Sequence, residues 1–171
     1  SLLYGLPECE IRKLQRIQNA AARLVFQLPK YSHVTPLFLQ LHWLPVRFRI
    51  TFKILLVTFK AVHGMAPPYL SSLVSWSSNN RYNLRSSSAS VLKPLNLKTL
   101  PTLGDRAFQA AAPKLWNQLP KSIREIKSIS VFKKSVKTHL FKLAFNCWFV
   151  NSILINLIYI NLHQFHFIQF Y

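Results

Sequence analysis

Residues 45–64 read PVRFRITFKILLVTFKAVHG, and the reading of this stretch decides the fold. Pro45 cannot continue a preceding helix, but its fixed φ suits the start of a new one, where its missing N–H has no partner to lose. Gly64 stands where such a helix must end, because it enters the left-handed conformation without a Cβ penalty. Between them Phe48, Ile50, Phe52, Ile54, Leu55, Val57, Phe59 and Val62 surround most of the helical circumference. A helix that is apolar on most sides is a buried one, so 45–63 is expected at the centre of a bundle. Arg49, Lys53 and Lys60 form its basic stripe. The fold class that follows is all-α.

Toward the N-terminus, Pro7 followed by Glu8 and Glu10 is a helix-start signature, with the two acids complementing the helix dipole. The helix is expected to run to about Leu28. At a helical period Ile11, Leu14, Ile17, Ala21, Leu24, Val25 and Leu28 gather on one side, the side expected to be buried. Arg12, Arg16, Asn19 and Arg23 fall opposite in a narrow stripe that holds no acid and suits a phosphate backbone. The offsets of Arg12, Arg16 and Arg23 repeat those of Arg49, Lys53 and Lys60, so two helices are expected to present parallel cationic ridges. A short helix capped by Thr35, with Pro36 at its first position, carries Leu37, Phe38, Leu41 and Trp43 before Pro45 breaks it.

Toward the C-terminus the composition changes. Residues 71–90 hold nine serines with Asn79, Asn80 and Asn83, too little apolar surface to offset the entropy of ordering them, and read as a loop in which Arg81 and Arg85 are exposed charges. Pro94 and Pro101 make Val91 to Leu103 extended or irregular. A second helical part opens near Asp105, is interrupted at Pro113, and restarts through Leu115 and Trp116 to Pro120. The last helix opens near Ser128 or Ser130 and runs to about Phe145. It carries Phe132, Val136, Leu140 and Leu143 on one face and Lys133, Lys134 and Lys137 on the other. Trp43, Phe108, Trp116 and Leu140 lie beside apolar partners at helical spacing and are expected in the core, with His42 and His139 as structural residues. The expected organisation is a helical bundle over 1–74, a Ser/Pro-rich linker or irregular segment over 75–103, a smaller helical part over 104–145, and an uncharged apolar tail over 146–171. In that tail Asn146, Asn151, Asn156 and Asn161 recur every fifth residue and visit every side of a helix. Amides spread in this way are costly in lipid, so the tail reads as unselected read-through before it reads as a membrane anchor.

Charge bounds the function. Twenty-two Lys and Arg face four acids, Glu8, Glu10, Asp105 and Glu125, for a formal net charge of +18. Such an excess calls for a polyanion, and nucleic acid releases counterions with every phosphate neutralised. Anionic membrane is the alternative partner. One Asp and three scattered Glu cannot assemble the carboxylate cluster that two-metal phosphoryl transfer requires. Gly5, Gly64 and Gly104 are the only glycines and form no phosphate-cradling loop. Cys9 and Cys147 supply neither a disulfide framework nor zinc spacing, His163 and His166 lack a thiolate or carboxylate neighbour, and no serine sits in a nucleophile elbow. No catalytic residue, cofactor or metal is expected. The only methionine is Met65, and the chain is expected to be a piece of a longer product.

These residues also carry a resemblance. Positions 4–145 resemble the C-terminal region that follows the reverse transcriptase domain in LINE-type, non-LTR retrotransposon polyproteins of animals. The matching blocks include Tyr4-Gly5-Leu6-Pro7, Leu14-Gln15-Arg16-Ile17-Gln18-Asn19, Leu41-His42-Trp43-Leu44-Pro45-Val46-Arg47 and Gly64-Met65-Ala66-Pro67-Pro68-Tyr69-Leu70. Further along come Gly104-Asp105-Arg106-Ala107-Phe108, Ala112-Pro113-Lys114-Leu115-Trp116-Asn117 and Lys137-Thr138-His139-Leu140-Phe141. The resemblance implies a thumb and post-thumb segment that holds element RNA and primer-template duplex beside an upstream polymerase, within a cytoplasmic and nuclear ribonucleoprotein. The polymerase aspartates belong upstream of this sequence. The tail after Phe145 departs from the family pattern.

The expectation is therefore a non-catalytic binder of RNA and DNA backbone, using Arg12, Arg16, Arg23, Arg49, Lys53, Lys60, Lys133, Lys134 and Lys137. The alternatives are an inert pseudogene product and a membrane-associated protein anchored by the tail.

Overall fold

The helix at the centre forms as its sequence demands: α3 spans Val46–Val62, with Pro45 as its N-cap and Ile54, Leu55, Thr58, Phe59 and Ala61 buried. A computed structural model describes residues 3–77, 90–95 and 106–145. Around α3 lie α1 (Glu8–Val25), α2 (Thr35–Gln40), α4 (Pro68–Ser71), α5 (Phe108–Asn117), α6 (Lys121–Arg124) and α7, residues 129–145. The chain is all-α; among the described residues no strand forms, and the only pairing of extended segments is an isolated antiparallel bridge between Trp76 and Leu92. The apolar tail, the loop arginines Arg81 and Arg85, Asp105, and most of the Ser-rich stretch lie outside the described residues.

Three helices end in the same way. At the C-terminus of α3 the Met65 N–H donates to the Lys60 carbonyl at 2.8 Å, with Gly64 at φ +69°. The Leu28 N–H does the same to Arg23 after α1, and the Trp43 N–H to Phe38 after α2, each at 2.9 Å. This six-to-one hydrogen bond satisfies a terminal carbonyl and requires one left-handed residue. Gln27 and His42 fill that position at φ +51°, where an L side chain costs about 1–2 kcal/mol.

The main core draws on both sides of the Ser-rich stretch. Leu44, Leu55, Phe59, Leu92, Trp116, Phe132, Val136 and Leu140 form one buried cluster, in which Phe132 stacks against Phe59 at 4.2 Å and Trp116 at 5.7 Å between ring centroids. Residues of 1–74 and of 106–145 thus share this core. The expected linker contributes too. Leu92 is fully buried, its N–H and carbonyl both bond the side-chain amide of Asn117, and Ser90 O accepts from Trp116 Nε1 and Arg124. A single apolar residue, with its backbone polar groups paired, anchors a segment whose composition reads as irregular.

Other expectations are corrected here. α5 continues through Pro113 where an interruption was expected. Proline in a helix interior costs about 3 kcal/mol through its lost bond and its clash with the preceding turn. Ala111, Ala112, Pro113 and Trp116 are all buried, and that burial offsets the cost. On α7, Phe132, Val136 and Leu140 are buried, but Leu143 is exposed and Phe145 is buried in its place. Phe145 joins a second cluster with Ala22, Leu37 and Phe38, against which Phe141 and Ala144 pack. The buried face of α7 therefore turns where its neighbours change.

The largest correction concerns α1. Its buried residues are Ile11, Gln18 and Ala22, whereas Ile17 is 67% and Leu24 79% exposed, with Val25 and Leu28 also exposed. The buried stripe is rotated by roughly 80° from the apolar arc that a helical period defines. Polar chemistry sets that rotation. Gln18 Nε2 donates to the Leu44 carbonyl at 2.9 Å, and Gln15 Oε1 accepts from the Val46 N–H at 2.9 Å. The Val46 N–H is one of the four donors that the start of α3 leaves without an intrahelical partner, so α1 caps α3 from outside.

Candidate nucleic-acid interface

Each of the three described acids, Glu8, Glu10 and Glu125, is paired with a neighbouring cation. Among the described residues three ion pairs form: Glu10 with Lys13, Glu8 with Arg47, and Glu125 with Lys121. Glu8 thereby ties the first turn of α1 to the first turn of α3. None of the nine cations singled out in the sequence takes part in an ion pair among the described residues.

Their positions differ. Arg12 and Arg16 are exposed on α1, but Arg23 is half-buried, and its Nε donates to the Ser32 carbonyl at 3.0 Å, tying the turn after α1 to the helix. Arg49 and Lys53 are exposed one turn apart on α3, while Lys60, near the end of that helix, is half-buried. Lys133, Lys134 and Lys137 are all exposed on α7.

Tertiary structure brings three of these together. Arg49 and Lys53 of α3 and Lys137 of α7 line one cavity of about 630 Å³, whose remaining wall includes His42, Trp43 and Phe52. Trp43 is half-buried and packs against the second core cluster, and Phe108 is half-buried. Trp116 and Leu140 are buried as expected. His139 is half-buried, but His42, expected as a structural residue, is exposed and stacks loosely on Phe141, with ring centroids 6.1 Å apart. Sequence reasoning assigned no role to this recess, because its cations belong to separate stripes and its histidine follows a helix end with no glycine to mark it.

A second cavity of about 630 Å³ opens between α1 and α3. Leu14, Ile17, Ala21, Val46 and Ile50 line it, together with Trp43, Arg49 and Lys53, which also line the first recess. It is apolar, and it continues the uncovered face of α1. Among the described residues no group of three or more His, Cys, Asp or Glu is placed to hold a metal, and no helix is long and apolar enough to cross a membrane.

The chain matches no protein-family model, no curated protein and no solved structure.

Proposed function

We propose that this chain binds the backbone of RNA and of primer-template duplex without catalysing a reaction, as the post-polymerase part of a non-LTR retrotransposon reverse transcriptase. The observation that carries this reading is the meeting of Arg49, Lys53 and Lys137 around one recess, with every described carboxylate paired elsewhere. Cations clustered without acids repel one another, and a phosphate chain removes that repulsion. Lys133 and Lys134 extend the surface along α7, and Arg12 and Arg16 supply a further ridge on α1. Lys60 and Arg23, both half-buried, are the weakest of the nine residues. The resemblance over positions 4–145 supports the choice of RNA and names the second partner, an upstream polymerase domain. The exposed apolar face of α1 is the kind of surface such a protein partner covers.

Binding of a fluorescent RNA hairpin to the full chain, measured over a salt series, tests this. The triple variant Arg49→Glu, Lys53→Glu, Lys137→Glu is expected to bind more weakly. Its log–log salt slope should be shallower by about two to three, given roughly 0.7 per phosphate contact on single strands and 0.9 on a duplex. Unchanged affinity and slope in dilute buffer would overturn the assignment.

A further inference from the structure

The geometry points to the recess between the α2–α3 corner and α7 as a site for one unpaired nucleotide, its base against His42 and Trp43 and its phosphate held by Arg49, Lys53 and Lys137. This inference rests on the nucleic-acid reading above and narrows it. A surface that merely neutralises phosphates needs no walls. Here the three cations border a cavity of about 630 Å³ that has three aromatic side chains, His42, Trp43 and Phe52. Ligand pockets of roughly 300–1,000 Å³ are the usual size for small organic groups. Flat aromatic walls suit a base, because every base has a π-face, and fixed positive charge beside them suits the phosphate attached to it. A base inside a duplex is stacked and unavailable, so the recess selects a bulged, looped or single-stranded nucleotide.

The backbone at His42 supports this choice. Among the described residues three helix ends require a left-handed residue, and one of them carries the unstrained Gly64. Gln27 and His42 both sit there with side chains, and of the two His42 lines the recess. Its imidazole lies 6.1 Å from the Phe141 ring at an interplanar angle of 23°, and the residue is exposed, so the ring is open to a ligand. Strain retained where glycine would relieve it is expected where the side chain contacts a ligand.

The test uses the full chain and three RNA hairpins: fully paired, with a single bulged adenosine, and with an abasic site at the bulge. Wild-type protein is expected to bind the bulged hairpin about tenfold more tightly than the other two, the order of a single base–aromatic stack. 2-Aminopurine at the bulge should change its fluorescence on binding. His42→Gly should abolish both the preference and the fluorescence change while keeping affinity for the paired hairpin and raising the melting temperature. Those last two readouts show that the variant is folded. Lys137→Ala should weaken the bulged hairpin more than the paired one. Equal affinity for all three hairpins, or a preference that survives His42→Gly, overturns the nucleotide site but leaves backbone binding intact. Absence of binding to any hairpin at low salt removes both readings.

Discussion

α1 and α3 share their start signal and their cation spacing and meet different fates. Each begins after a proline, each bears cations at matching offsets, and each has enough apolar residues for a broad buried face. α3 is packed by α1, α4 and α5 and by the α7 residues that share its core. α1 is packed along one narrow stripe by α2 and α3, and most of its large apolar side chains face outward. Periodicity states which residues of a helix share a side, but whether that side is covered depends on what else occupies the space. In α1, two glutamines that bond the Leu44–Val46 corner fixed the rotation, and the apolar arc was left at the edge of a groove.

Truncating one large apolar residue on each helix gives the largest expected contrast. Phe59→Ala empties the middle of the stack between His63 and Phe132 and should cost about 3–5 kcal/mol in urea denaturation. Ile17→Ala should change stability by no more than about 0.5 kcal/mol, because that side chain is mostly in water. Comparable losses at the two sites would mean that the α1 face is covered in solution and would erase the contrast.

The rotation of α1 can be challenged next. Gln18→Ala leaves the buried Leu44 carbonyl without its donor, and the same unfolding measurement should show a loss of about 1–3 kcal/mol. A neutral result would show that the polar corner does not set the helix orientation.

The smallest effect separates the helix ends. Gln27→Gly relieves the left-handed strain after α1 and should stabilise the chain by about 0.5–1 kcal/mol, net of the extra backbone entropy of glycine. A rise in melting temperature of a few degrees is the expected signature, and a fall would mean that the Gln27 side chain makes contacts worth more than the strain.

The bottom of the fold was legible in the residues. Prolines and Gly64 set the bounds of α3, and its apolar circumference marked it as central. Both depend on local conformational preference or on composition, which neighbours do not alter. The recess was not legible, because His42 and Lys137 belong to no pattern that includes the Arg49–Lys53 stripe, and the four meet only when α7 packs beside α3.

Sequence alone determined that the chain is helical, where its central helix starts and stops, and that its charge is unbalanced, since steric limits on proline and glycine and the sum of charges act residue by residue. Tertiary structure decided which face of α1 is covered, that Leu92 joins the core, that α5 runs through Pro113, and which cations converge. Those outcomes depend on competition between distant groups for the same space and hydrogen bonds, and that competition is settled only when the helices pack.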